Sequence, residues 1–252
     1  NRGYTYWAGY QGCVGLTSSF RIYDKCYSMH ARCVKDIPQM SFCRGEGFDN
    51  CAYGEMLDSR DGKKYQTIEV GGQTWMNESL RYDDSIAMPS LLGNIYHLEK
   101  DTLISLGKSF VDNSVAYRFA GLMDSLNSGC GYKTTCDEKR GVCPIGWHII
   151  TLSEIYEMRY FLGVFYEHDQ YDRTVARGFG INRDVYHETM ADSLRIAHGF
   201  ELWTSSSYNE ELAHYYYEVD GLLMCADCYM DKGKTLMPVR CAKDRQSIFP
   251  ED

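Results

Sequence analysis

The chain has 252 residues, with 35 acidic and 26 basic side chains and a net charge of −9; it is long enough to bury a real core and lacks the basic stripe that nucleic-acid binding requires. Eleven cysteines, 21 tyrosines and 23 glycines argue for an oxidising, extracellular setting and a turn-rich β protein. No apolar run approaches the roughly 20 residues of a membrane-spanning helix, and the first residue is Asn1 rather than methionine, so a removed signal segment or a longer precursor is expected.

Residues 1–57 carry Cys13, Cys26, Cys33, Cys43 and Cys51 among glycines and aromatics without an amphipathic pattern. A crosslink-dependent segment of short hairpins is expected there. Ile22-Tyr23-Asp24-Lys25-Cys26 is echoed by Gly47-Phe48-Asp49-Asn50-Cys51, either as two hairpin units or by coincidence. The stretch Tyr4-Thr5-Tyr6-Trp7-Ala8-Gly9-Tyr10 has strand-forming residues at both parities and no evident partner nearby. Pairing elsewhere, including with another subunit, is the expectation.

At Asp58 the texture changes, and a main domain over residues 58–246 with a tail at 247–252 is expected. The polar turn Asp58-Ser59-Arg60-Asp61-Gly62 precedes a strand, Tyr65-Gln66-Thr67-Ile68-Glu69-Val70. Gly71-Gly72 then suits a two-residue turn with positive φ leading into Gln73-Thr74-Trp75-Met76. Residues 82–112 support only short helices. Ala116 to Leu126 reads as a helix with Ala116, Phe119, Ala120 and Met123 on one side, ended by Asn127-Ser128-Gly129.

The middle of the chain centres on Gly141-Val142-Cys143-Pro144-Ile145-Gly146-Trp147-His148, where a cysteine, a proline turn and a large aromatic come together. Thr151 or Ser153 can cap the following helix, whose Ile155, Met158, Phe161 and Leu162 recur at spacings of three and four. That helix is expected to lie on Trp147. Gly178-Phe179-Gly180 reads as a backbone bend, and strands are expected around Leu202-Trp203-Thr204-Ser205-Ser206, His214-Tyr215-Tyr216-Tyr217-Glu218-Val219 and Leu236-Met237-Pro238-Val239-Arg240-Cys241.

These landmarks in this order resemble the Fibrobacter succinogenes major paralogous domain, a family of bacterial secreted and surface modules. The resemblance rests on Asp58 to Tyr65, on Gly72-Gln73-Thr74-Trp75-Met76-Asn77-Glu78-Ser79-Leu80, on Cys130-Gly131-Tyr132-Lys133-Thr134-Thr135-Cys136, on Gly141 to His148, on Leu202 to Ser206 and on Val239-Arg240-Cys241. Two departures are Ile149-Ile150, where the family carries leucine and proline, and a missing cysteine pair around residues 82–96. The motif order is also similar to that of C-type-lectin-like modules. It implies an α+β module with twisted antiparallel sheets and two main helices, preceded by the small cysteine-rich segment. It further implies a Cys143–Cys241 disulfide, beside a Cys130–Cys136 bridge that closes a short turn. No lectin calcium motif can be matched, so no metal or other cofactor is expected.

The remaining chemistry is modest. Cys225-Ala226-Asp227-Cys228 favours a local disulfide over pairing with cysteines elsewhere, over zinc, which needs two further ligands, and over a redox site, which needs a βαβ context. His148, the adjacent acids Asp83-Asp84 and Glu210-Glu211, and Ser205-Ser206-Ser207 have structural readings that outweigh catalytic ones. Trp147 and Trp203 are expected in the core. Tyr208, Tyr215, Tyr216, Tyr217 and Tyr229 crowd the C-terminal sheet, for surface recognition or plain packing. Alternation should leave one side of the 215–217 run open, so Tyr208, Tyr215, Tyr217 and Tyr229 are the candidate contacts. The expected function is a non-catalytic secreted or cell-surface module for polysaccharide recognition or cell adhesion, with a self-assembling structural subunit of a filament or surface layer as the alternative.

Overall fold

The computed structural model describes residues 4–6, 22–24, 40–45, 47–97, 115–162, 178–179, 187–190, 193–196, 200–219 and 222–245. The chain divides into two compact units, Asn1–Pro38 and Gln39–Asp252. In the first, β1 (Tyr4–Tyr6) pairs antiparallel with β2 (Ile22–Asp24), Thr5 opposite Tyr23. The start of the N-terminal aromatic stretch therefore finds its partner elsewhere in its own unit rather than in another subunit, and residues 7–10 of that stretch lie outside the described residues.

The second unit begins well before Asp58. A small hairpin of β3 (Arg44–Gly45) and β4 (Phe48–Asp49) is closed by a Cys43–Cys51 disulfide with Cα atoms 4.9 Å apart. Next, β5 (Tyr53–Leu57) pairs along its length with β6 (Lys64–Val70). The boundary expected at 57/58 thus falls inside a hairpin: the polar Asp58 to Gly62 stretch is a turn between paired strands, not a linker between domains. Gly62 takes φ 74° there, and its amide donates to the Asp58 carbonyl at 2.8 Å.

Gly71 and Gly72, at φ 65° and 81°, carry β6 into β7 (Gln73–Met76), with Val70 opposite Gln73 and Ile68 opposite Trp75. This is the two-residue turn that positive φ at both positions permits. Adding β17 (Cys241–Lys243) and β10 (Trp147–Ile149) completes a five-stranded antiparallel sheet in the order β10–β17–β7–β6–β5. A second antiparallel sheet runs β13 (Phe200–Ser207), β14 (Leu212–Val219), β15 (Leu222–Asp231). Smaller pairings join β8 (Ile95–His97) to β9 (Val115–Tyr117), and β11 (His187–Met190) to both β12 (Ser193–Ile196) and β16 (Thr235–Leu236). The chain is therefore an α+β protein dominated by antiparallel sheet, and among the described residues no helix is long and apolar enough to cross a membrane.

The expected helix over 116–126 is not continuous. Ala116 lies in β9 opposite Tyr96, and only single-turn helices α1 (Phe119–Leu122) and α2 (Ser125–Ser128) follow. They are interrupted by Asp124 at φ 51°, whose carboxylate accepts from Ser90 Oγ at 2.7 Å and Asn127 Nδ2 at 2.8 Å. Main-chain pairing of Tyr117 with Met237 draws the first residues into sheet instead. Among the described residues α3 (Leu152–Leu162) is the one helix longer than a turn, where two had been expected. It opens on a capping box: Thr151 Oγ1 accepts the Glu154 amide at 3.2 Å, and Glu154 accepts the Thr151 amide at 2.8 Å.

Two apolar clusters are built on opposite faces of the same strands. The first holds Tyr65, Met76, Trp147, Trp203, Tyr215 and Cys241; the second holds Ile68, Val70, Trp75, Leu202, Tyr216 and Ala242, with Ile155, Met158 and Leu162 of α3 and with Phe179. Successive residues such as Trp75 and Met76, or Leu202 and Trp203, thus serve different clusters, as the two-residue period of a strand dictates. The helix packs with the Trp75 cluster rather than on Trp147, because Ile150, not Trp147, faces its side of the sheet. Trp203 is fully buried, donates Nε1–H to the Tyr117 carbonyl at 2.9 Å and meets Phe119 edge-on at 5.6 Å; Trp147 is buried in the same cluster.

Candidate functional site

Strand β14 sets the tyrosine run between the two clusters. Tyr215, opposite Trp203, is 7% exposed, and Tyr217 packs half-buried against the same cluster; Tyr216, opposite Leu202, belongs to the other. Alternation was expected to leave one side of the run at the surface. Each side instead finds its own apolar layer: Tyr215 is buried in the first, and Tyr217 keeps part of its surface open while packing against it.

Tyr208 and Tyr229 are placed differently. They are 54% and 48% exposed, and their rings stack with centroids 4.2 Å apart and planes 11° from parallel. The His214 ring meets Tyr208 edge-on at 5.6 Å, and His214 lies opposite Tyr229 in the β14–β15 register. Local chemistry makes the arrangement. Tyr208 enters the tight turn between β13 and β14, in which Asn209 Oδ1 accepts the amides of Glu211 and Leu212, each at 2.8 Å, and the Tyr208 amide donates to the Leu212 carbonyl at 2.9 Å.

A third ring comes from a segment that sequence reasoning treated only as a disulfide loop. Cys130 and Cys136 are bonded, with Cα atoms 5.9 Å apart, and between them Tyr132 is 45% exposed. A side chain at Gly233 would bring its Cβ within 3.3 Å of the Tyr132 ring, so that glycine leaves room for it. The Lys133 amide donates to the Glu210 carbonyl at 2.8 Å, which fastens this loop to the turn carrying Tyr208. An aromatic among the five residues between two bonded cysteines is the signal that would have found it.

Lys232 joins these segments from beneath. It is 1% exposed, and its Nζ donates to the carbonyls of Thr134 and Asn209 at 2.7 Å each, to Ser207 Oγ at 2.9 Å and to the Glu210 carbonyl at 3.4 Å. The ammonium also lies 4.9 Å from the Phe119 ring centroid. Burial pulls its pKa down to about 8, against the opposing influence of the Glu210 charge, so it remains largely protonated at neutral pH.

His148, Asp83, Asp84, Ser206 and Ser207 have structural employment, whereas Ser205 Oγ is buried without a hydrogen-bond partner among the described residues. His148 has Nδ1 2.7 Å from Asp244 and Nε2 2.8 Å from Glu154, which leaves neither nitrogen open to a substrate. Burial would lower its pKa, but these two carboxylates outweigh that and raise it to about 9; Glu154 is brought down to about 2, its burial outweighed by His148 and the Thr151 amide. Ser206 Oγ donates to Asp137 at 2.7 Å and accepts the Leu152 amide at 3.0 Å; Ser207 Oγ accepts the Cys136 amide at 2.9 Å. Asp83 pairs with Lys63 at 3.1 Å, and Asp84 caps the amides of Ile86 and Ala87. Cys143 and Cys241 are bonded, 98 residues apart in sequence. Cys228 is also in a disulfide, whereas the side chain of Cys225 lies outside the described residues, as does the tail at 247–252.

Compared with known proteins, the chain matches no family model, no curated protein and no solved structure.

Proposed function

We propose that this chain is a non-catalytic module of the extracellular or cell-surface space that binds polysaccharide through the Tyr208–Tyr229 face. The observation that carries the reading is the stacked, half-exposed ring pair at the end of the β13–β14–β15 sheet, since aromatic faces with hydroxyl tips suit the apolar faces and rims of sugar rings. The disulfides fit an oxidising compartment, and the ordered motifs support kinship with the Fibrobacter major paralogous domain and a lectin-like arrangement. Each ring contributes about 0.5 to 1.5 kcal/mol, so firm attachment relies on several copies acting together.

The test replaces Tyr208 and Tyr229 with alanine, singly and together, verifies folding by circular dichroism, and measures retention on insoluble cellulose, xylan and chitin. Retention should fall roughly 2- to 12-fold for each ring removed. Wild-type retention on none of the three, or unchanged retention in the double variant, overturns the reading. Self-assembly visible by electron microscopy without ligand would instead favour a structural subunit. Of the two features that favour that alternative, the cysteine-rich leader remains, whereas Tyr4–Tyr6 is already paired with Ile22–Asp24.

A further inference from the structure

We propose that Lys232 is the positioning residue of this face, a tethered cation whose ammonium gathers the segments that carry Tyr132, Tyr208 and Tyr229 into one fixed arrangement. The inference rests on the polysaccharide-binding reading for its purpose, though not for its geometry.

The acceptors come from two separate segments. Thr134 belongs to the Cys130–Cys136 loop, and Ser207, Asn209 and Glu210 to the end of β13 and its turn. Lys232 itself follows β15, three residues after Tyr229, and its amide donates to the Glu211 carbonyl at 2.9 Å. Three of the four acceptors are main-chain carbonyls, which repel one another unless a cation sits among them. A set of neutral oxygens around a buried positive charge is the chemistry by which proteins hold a cation through carbonyl and hydroxyl ligands; here the cation is delivered by the chain. Its stem is buried and the Phe119 ring lies against the ammonium, so the charge is fixed in place and adds a cation–π contact. A lysine on the surface, such as Lys234 at 79% side-chain exposure, does none of this. Fixing three aromatic-bearing segments before the ligand arrives lowers the ordering cost of binding.

Two variants and one spectroscopic signature test the proposal. Lys232→Met keeps the stem and removes the charge. Lys232→Ala leaves the oxygens around a space that a free ammonium ion can enter and tetramethylammonium cannot. Near-ultraviolet circular dichroism reads the Tyr208–Tyr229 stack, and retention on cellulose, xylan and chitin reads recognition. Lys232→Met should fold, lose the stack signal and bind about tenfold more weakly, the equivalent of one or two rings. Ammonium chloride, but not tetramethylammonium chloride at equal ionic strength, should restore both signals in Lys232→Ala. A folded Lys232→Met with the wild-type signal and wild-type retention overturns the proposal and leaves the binding reading intact. Absence of wild-type retention alongside a lost stack signal in Lys232→Met sinks the binding reading and upholds the positioning role. Should neither variant fold, hydrogen exchange on the wild-type protein decides. Amides of Lys133, Tyr208 and Lys232 protected like that of Trp203 uphold the fixed arrangement, and rapid exchange at these three overturns it.

Discussion

Arg60 donates through one Nη to the carbonyl of Val142 at 2.8 Å while its Nε and other Nη hold both carboxylate oxygens of Asp58 at 2.9 and 2.6 Å. The guanidinium also lies 3.8 Å from the centroid of the Tyr82 ring. A hairpin turn near the start of the sheet is thereby fastened to the middle of the chain, beside the Cys143–Cys241 bridge. Asp58 is fully buried; burial pushes its carboxyl pKa up, but the Arg60 hydrogen bonds and charge bring it below the usual carboxylate range.

Replacing Arg60 with methionine strands that buried carboxylate and should destabilise the fold by about 3 kcal/mol, read as a lower urea midpoint. Arg60→Lys should recover less than half of the loss, because an ammonium cannot fork across both oxygens and still reach Val142. Full recovery by lysine would show that charge alone matters.

The His148 clamp predicts a specific pH dependence. His148 titrates near 9 in the fold against 6.5 for the ordinary side chain. Its contribution is thus fully present below 6.5 and is lost as pH rises through 9. Glu154 titrates near 2 against 4.5, so its share is present above 4.5 and fades as pH falls through 2. Urea unfolding of wild type and His148→Gln at pH 6 and pH 9.5 should show a wild-type advantage on the order of 2 kcal/mol at the lower pH that shrinks at the higher one. A constant difference across that window would refute the clamp.

Gly141 and Gly146 form a contrasting pair. Both have positive φ, 52° and 80°, but a Cβ at Gly141 would lie 2.3 Å from the Leu122 carbonyl oxygen, whereas nothing lies within 4 Å at Gly146. Gly146→Ala should cost about 1 kcal/mol for the left-handed backbone alone. Gly141→Ala should cost about 3 kcal/mol, since it also drives Leu122 away from the Val142 amide it accepts. Equal losses in thermal unfolding would refute the crowding at Gly141.

Removing the Cys143–Cys241 bridge as a double serine variant should cost about 4 kcal/mol in the chain-entropy account, given the 98-residue separation. Guanidinium unfolding measures it, and a loss under about 1 kcal/mol would mean that the denatured chain stays compact without the bond.

Features written in neighbouring residues were legible from sequence. Gly71-Gly72 specifies its turn by the φ that only glycine takes freely, and Thr151 with Glu154 specifies a helix start by satisfying two exposed amides. The Cys130–Cys136 bridge was legible as a short turn, whereas the Cys143–Cys241 pairing followed from resemblance rather than from local chemistry. Features decided by distant partners were not legible. Ala116 has helical company on one side but a strand partner in Tyr96. The polar turn after Leu57 looks like a domain boundary in sequence because β5 finds its partner only beyond it. Tyr215 looked free to face solvent because a second apolar layer cannot be counted from one strand. In Asp231-Lys232-Gly233-Lys234 nothing separates the buried lysine from the exposed one; only the carbonyls brought from residues 134, 209 and 210 do.

The division of single strands between two clusters has a consequence for how the unit opens. Leu202 and Trp203, or Trp75 and Met76, cannot be peeled from one layer without stripping the other. Fraying therefore stops at β7, β13, β14 and β17, and amides such as those of Trp203, which donates to the Pro238 carbonyl, and Ala242 should exchange only when the whole unit unfolds. Among the described residues, small openings fall to the β3–β4 hairpin, whose strand residues are exposed or half-buried and which one disulfide closes, so it should exchange its amides well before the two sheets open.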